Sequence, residues 1–402
     1  MKLPGDLGHL TYCLNIHPAE TWNECRAALS GPVAAVKQAL CPDDPFTVGL
    51  RFSAVATEAL EDTEARADLK QILAAHDFQA LTVNGFPYGP FHGPRVKEDV
   101  YQPDWTKPER AAYTIALAEL MADLNPQGAE ISLSTVPGTF KPLGAGQERK
   151  MADYFLRCAA FCHDVREQTR RTVQIAIEPE PFCFLETIAE TVAFFDKYLF
   201  SDAAVTTMSG LTGLSRGDAA AALPRHLGLC YDVCHAAVEY EDPAGSITAL
   251  RSAGIPVHKL QLSAALRVPS VDGRARKTLA AFDEPTYLHQ VVSRRGETLH
   301  YTSDLQEALA RLDSDGEEWR IHFHVPLFVD DIPPFKSTQD FLGEILKIHR
   351  QAPISNHLEV ETYTWGVLPG GLRGESIEDD IAREMRWVLD RLDIGNAKTS
   401  AL

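Results

Sequence analysis

The chain has few cations for its acid content, no long apolar run and no close cysteine pair, and each shortage excludes something. Lys and Arg total 38 against 56 Asp and Glu, a formal net charge of -18. The surface field should therefore repel nucleic acid and anionic membranes, and no basic stripe interrupts it. No stretch approaches the roughly 20 consecutive apolar residues that span a bilayer. The opening Met1-Lys-Leu-Pro-Gly lacks the apolar core of a secretion signal, so a cytoplasmic protein without membrane insertion is expected. Eight cysteines in 402 residues, none in a C-x-x-C pair, do not make a disulfide scaffold. Cys158 and Cys162 in a helical stretch, and Cys183, Cys230 and Cys234 beside acidic strands, read as small buried apolar side chains. Low-complexity segments and fixed-period repeats are missing too. What remains is an ordinary globular composition, 45% hydrophobic and 23% charged, sufficient for one barrel with insertions or for two domains. One elaborated barrel is the preferred reading.

What is present is a set of three short apolar runs that each end in carboxylates: Val173-Gln-Ile-Ala-Ile-Glu178, Leu227-Gly-Leu-Cys-Tyr-Asp232 and His357-Leu-Glu-Val-Glu361. Runs of this length and composition read as buried strands, and a carboxylate at such a strand end is costly unless it meets a proton, a cation or a metal. Pro179 and Pro181 stop the first ladder, which leaves Glu178 at a strand tip. Parallel barrels collect their chemistry at this end of several strands. The three tips therefore point to one shared ion.

Along the chain, strand and helix patterns alternate, the mark of parallel α/β architecture. Strands are predicted at 10–16, 46–52, 80–84, 130–135, 173–178, 227–232, 258–263 and 357–361. Helices are predicted at 57–76, 107–124, 146–169, 188–199, 338–350 and 376–392, several with an apolar stripe at three- and four-residue spacing. A ninth strand-like run, 319–328, alternates His322 and His324 with apolar residues, placing both imidazoles on one side. The Arg-rich stretch 264–303 reads as a long surface loop with some helix, and Gly85-Phe-Pro-Tyr-Gly-Pro-Phe-His92-Gly as an irregular pocket-shaping loop.

Glu178, Asp232-x-x-His235 and Glu361 resemble the strand ends of the xylose-isomerase-like TIM barrels, a superfamily of sugar isomerases, ketose 3-epimerases and endonuclease IV. Over nearly the full length, Leu10-Thr-Tyr-Cys-Leu-Asn-Ile-His-Pro, Asn84-Gly-Phe-Pro-Tyr-Gly-Pro-Phe-His and Glu361-Thr-Tyr-Thr-Trp resemble one branch, EboE of the ebo metabolite-traffic gene clusters. The resemblance implies a single (β/α)8 TIM barrel spanning 1–402, with insertions at the C-terminal face of the strands and the main one at about 264–335. It also implies one divalent ion (Mn, Mg or Zn) held by Glu178, Asp232, the strand-seven position and Glu361. That position usually carries His followed three residues later by Asp. Here Gln261 and Ala264 stand in their places, a weaker ligand and no acid.

The chemistry expected of such a site is proton removal beside a carbonyl, with Glu178 and Glu361 as the catalytic acid and base and the cation opposing the developing oxygen charge. His17, His235, Lys259, His322 and His324 are the candidate substrate-binding residues. His17 alternatively caps a turn, Lys259 alternatively neutralises a carboxylate, and His322 and His324 alternatively ligate a metal or form a structural pair. Glu180 and Glu186 read as solvated loop or helix-start residues. Pro369-Gly-Gly371-Leu-Arg373 falls where barrels often bind phosphate. Three functions follow: a metal-dependent isomerase or epimerase of a small polyhydroxylated metabolite, a non-catalytic metabolite-binding barrel, and an endonuclease IV-like phosphodiesterase. The acidic charge and Gln261 weigh against the last.

Overall fold

The computed structural model describes residues 1–86, 88–89, 97–368 and 371–394. Its strands, in chain order, are β1 (His9–Tyr12), β2 (Phe46–Arg51), β3 (Phe78–Asn84), β4 (Glu130–Thr135), β5 (Thr172–Ile177), β6 (Leu227–Asp232), β7 (Val257–Leu262), β8 (Ala265–Val268), β9 (Val291–Arg295), β10 (Thr298–Thr302), β11 (Glu318–His324), β12 (Asp331–Ile332), β13 (Phe335–Ser337) and β14 (His357–Val360). Eight of them form a parallel sheet in the order β1-β14-β7-β6-β5-β4-β3-β2, and a bridge between Cys13 and Gly49 joins its two edges. With helices between the strands this is a (β/α)8 TIM barrel. Gly49 is required at the seam: a Cβ there would lie 2.1 Å from Glu359 Oε2 and 2.5 Å from the Tyr12 carbonyl.

The barrel interior is unusually polar. Side chains alternate along a strand with period two, so His357, Glu359 and Glu361 project inward from β14 and its tip at three successive depths. His357 Nδ1 lies 2.9 Å from Ser132 Oγ at the bottom, and Glu359 faces the Lys259 ammonium at 2.6 Å in the middle. Glu361 opens at the mouth. Outside, amphipathic helices cover the strands. Ile377–Arg391 buries Ile381, Met385 and Val388 at four- and three-residue spacing, and Ser376 caps its first turn.

Several predicted elements differ in detail. The first strand stops at Tyr12 and continues as a 3-10 turn, Leu14–Ile16. The long helix expected at 57–76 is split in two, Ala54–Ala59 and Thr63–Ala75, because Asp62 accepts from the Glu64 and Ala65 N–H groups and restarts the helix. The run expected at 319–328 ends as a strand at His324, just before Pro326.

The stretch 264–303 is not a surface loop. It supplies β8, β9, β10 and the helix Gly273–Leu279, and its strands join β11, β13 and β12 in a six-stranded antiparallel sheet ordered β10-β9-β11-β8-β13-β12. Its arginines were misleading because they sit on paired strands. Arg267, Arg294 and Arg320 converge on Glu318 at 2.9, 2.8 and 3.3 Å, and Arg294 and Arg320 stack on Tyr240. The hairpin between β9 and β10 turns at Gly296-Glu297, with Gly296 at φ 61°.

Candidate active site

Three strand tips deliver their carboxylates to one place. Glu178 follows β5, where Pro179 removes the next ladder donor; Asp232 ends β6; Glu361 follows β14. All three are buried, and one oxygen from each lies within 4.8 Å of the others. Asp232 Oδ1 is committed to the start of the helix Val233–Val238, accepting from the His235 N–H at 2.9 Å and from Ser263 Oγ at 2.8 Å. Its Oδ2 has no partner, and neither has Glu178 Oε2. Glu361 Oε1 accepts from Asn15 Nδ2 at 2.5 Å and Asn84 Nδ2 at 3.4 Å. Burial, reinforced by neighbouring acids, pushes Glu178 well above the usual carboxylate range and Glu361 up to about 7.

Three imidazoles flank this cluster. His235 and His324 each join Asp232 in a set of potential ligand atoms within 4.8 Å of one another. His324 Nδ1 stands 2.5 Å from the Glu361 carbonyl oxygen, which only accepts, so Nδ1 carries the proton and Nε2 keeps a buried, unpartnered lone pair. Burial lowers the His324 pKa to about 4, keeping the ring neutral. His322 and His324 do lie on one side of β11, their ring centroids 5.4 Å apart.

Two expected substrate ligands lie elsewhere. His17 Nε2 is 3.0 Å from the Tyr12 hydroxyl and is not part of the pocket lining, because the 3-10 turn after β1 carries it past the barrel mouth. Lys259 is fully buried one depth below the mouth and pairs with Glu359. Burial alone would depress its pKa, but Glu359 raises it. Gln261, registered with Glu359 on one side and Asp232 on the other, turns its oxygen toward Cys230 Sγ at 3.7 Å, and its Nε2 makes no hydrogen bond. His258 faces away and packs against Gly228.

These groups open into a pocket lined by Glu178, Glu180, Glu361, His235, His322, Asn15 and Lys97, with aromatic walls from Phe86, Tyr101, Tyr287 and Tyr363. Glu180 is not solvated: it is 4% exposed, and its Oε1 accepts from the Tyr101 hydroxyl at 2.7 Å. Glu186 is likewise shielded and pairs with Lys141. Asn15, Asn84, Tyr101 and Gln290 were missed in the sequence. Asn84 closing a strand was the one available signal; the others sit in turns and insertions with no periodic pattern. His92, Pro369 and Gly370 fall outside the described residues. All eight cysteines are buried and free.

Behind the mouth, Glu384 ties the insertion to the last strand tip. Its Oε1 accepts from the Leu327 N–H at 3.0 Å and from Thr362 Oγ1 at 2.6 Å, and burial pushes its pKa from 4.5 to about 8. A carboxyl that stays neutral in the fold but ionises freely in the unfolded chain costs stability as pH rises from about 4.5 and stops costing more above about 8. The total is on the order of 5 kcal/mol. Glu384→Gln keeps an acceptor for both partners and removes the titration. Its denaturation midpoint should therefore fall less than the wild type's between pH 5 and pH 8. Equal falls in both proteins would show that Glu384 ionises in the fold without penalty.

The group such a site implies is a divalent cation, and the residues fit it. Glu178 Oε2, Asp232 Oδ2 and His324 Nε2 are buried, unpartnered electron-pair donors, two hard oxygens and one imidazole. No helix among the described residues is long and apolar enough to cross a membrane.

No protein-family model matches the chain, and no curated protein matches its sequence. Among solved structures it is similar to the probable 3-DHS dehydratase AsbF involved in petrobactin synthesis from Bacillus anthracis, with 12% identity, coverage of 94% of this chain and 97% of that one, and a TM-score of 0.44. It is similar to the IolI protein with a bound zinc atom at 10% identity, covering 97% and 99%, with a TM-score of 0.47. The xylose isomerase domain protein from Planctomyces limnophilus gives 11%, 91% and 93%, and 0.47. At 10–12% identity and TM-scores of 0.44–0.47 these likenesses say nothing of the chemistry, which rests on the residues themselves.

Proposed function

We propose that the chain is a metal-dependent isomerase or epimerase that moves a proton at a carbon beside the carbonyl of a small polyhydroxylated metabolite. The observation that carries this reading is the meeting of Glu178, Asp232 and Glu361 at three buried strand tips, with Glu178 Oε2 and Asp232 Oδ2 unpartnered. These three would hold one divalent ion (Mn, Mg or Zn), with His324 better placed than Gln261 to complete the set. When bound, the ion supplies positive charge against oxygen charge developing on the substrate.

Glu361 is suited to take and return a proton, and the Asn15 and Asn84 amides fix its orientation. Glu178 is the partner acid, three strands away around the barrel. The aromatic walls limit water at the reacting carbon. We read this reaction as a step of cytoplasmic metabolite traffic, a reading supported only by the resemblance of the motifs at Leu10, Asn84 and Glu361 to EboE.

A binding barrel without catalysis is the second reading, favoured by Gln261 and Ala264 where the resembling barrels carry His and Asp. The experiment is solvent-deuterium incorporation followed by NMR, with added manganese, magnesium or zinc, on those ketoses and ketose phosphates that raise the melting temperature. Incorporation into at least one supports the enzyme. Stabilisation without incorporation across all binding compounds sinks the enzyme in favour of the binding barrel.

A further inference from the structure

Beside the carboxylate cluster, two imidazoles meet nitrogen to nitrogen: His235 Nε2 and His322 Nε2 are 3.1 Å apart. Such a contact is ordinary if one nitrogen carries hydrogen. Here the partners on the other side of each ring argue otherwise. His235 Nδ1 lies 2.9 Å from the Pro179 carbonyl oxygen, which only accepts. His322 Nδ1 lies 2.7 Å from Gln290 Oε1. The Gln290 amide cannot be turned the other way without loss, because its Nε2 donates to the Pro181 carbonyl at 3.0 Å and to the Tyr101 hydroxyl at 2.9 Å. Each neutral ring therefore holds its hydrogen on Nδ1, and two bare lone pairs face each other in a buried place.

That arrangement repels unless something positive sits between the nitrogens. Two nitrogens each about 2.0–2.1 Å from one ion, at tetrahedral to octahedral angles, stand about 2.9–3.4 Å apart, and the observed separation falls within that span. Donation from the remote ring nitrogen to a carbonyl is also how metal-bound histidines are oriented. A third donor is in place: Glu180 offers an oxygen within 4.8 Å of both imidazoles, and its carboxylate is steadied by the Tyr101 hydroxyl. An independent buried lone pair, that of His324 Nε2, lies next to them, the His324 ring 6.2 Å from His235 and 5.4 Å from His322.

We propose that Glu180, His235 and His322 hold a second metal cation, of the imidazole-preferring class to which zinc and cobalt belong, next to the ion assigned to Glu178, Asp232 and Glu361. This goes beyond the proposed isomerase site, because it adds a second ion on ligands of its own, one of which, His322, comes from the same inserted strand as His324. The insertion thereby supplies a metal ligand that no barrel strand carries, and Gln290, also from the insertion, sets that ligand's tautomer.

The test is to strip the full chain with chelator, reload it with excess zinc, and both count the metal and locate it by anomalous diffraction at the zinc edge. Two ions per chain are expected, one between the His235 and His322 Nε2 atoms. His322→Leu should bring the count from two to one and leave the carboxylate ion in place. Should that variant fold poorly, His322→Gln and the anomalous map of the unaltered protein decide the matter without it. A single peak at the carboxylates, with the two imidazoles unbridged, overturns the second site and leaves the isomerase reading standing. A single peak at the imidazoles supports the second site and removes the first. No peak at either place overturns both.

Discussion

Glu361→Gln is expected to lower proton exchange at the substrate carbon by a factor on the order of 100 or more, the scale of losing a positioned acid or base. The substitution preserves shape. A glutamine oxygen still accepts from Asn15 Nδ2, which reaches Glu361 Oε1 at 2.5 Å, so the strand tip should keep its place. What disappears is the basic lone pair and one negative charge in a cluster whose acids already raise one another's pKa values. Folding should hold or improve, since a buried carboxylate is expensive. Binding should weaken less than turnover, because Glu178, Asp232 and His324 remain to hold the ion. Deuterium exchange by NMR, set beside thermal melts of wild type and variant, measures both. Exchange within about threefold of wild type, in a folded variant, would remove Glu361 from the chemistry; the threshold lies well below the loss expected of a positioned base.

The barrel and its mouth were legible in the sequence for a simple physical reason: buried parallel strands are short apolar runs, and a carboxylate at the end of one stands out against them. Glu178, Asp232 and Glu361 could be picked out that way, and the structure brings them within 4.8 Å of one another. The alternation His-Leu-Glu-Val-Glu in β14 even carried the layering of the interior, although only its last residue was used. The inserted sheet was illegible because its strands are short and their arginines mimic a solvated loop until Glu318 is seen to gather three of them. Glu180 was misread for a related reason. A residue between two prolines has no period to betray burial, and only the three-dimensional closeness of Tyr101 and His322 shows that it faces inward. For Lys259 the structure favours the second of the two readings, neutralising a carboxylate, since proximity to a strand tip in sequence does not fix depth in a barrel.

That depth gives Lys259 the largest expected effect on stability. Its ammonium and the Glu359 carboxylate are both fully buried and 2.6 Å apart, and Ser134 Oγ accepts from Nζ at 3.3 Å. Burying both charges is costly, and the pair persists because each offsets the other. Lys259→Met keeps much of the volume but leaves Glu359 as an uncompensated charge in the barrel core, which should cost about 3–5 kcal/mol. The double variant Lys259→Met with Glu359→Gln removes both charges and should recover most of that loss, because replacing a buried pair by neutral groups is often close to neutral. Denaturant melts of the two single variants and the double variant form a cycle whose coupling term isolates the pair. If Lys259→Met costs under about 1 kcal/mol at neutral pH, the scale of an exposed ion pair, or if the double variant is no more stable than the single, then the middle layer of this barrel is not held by its charges.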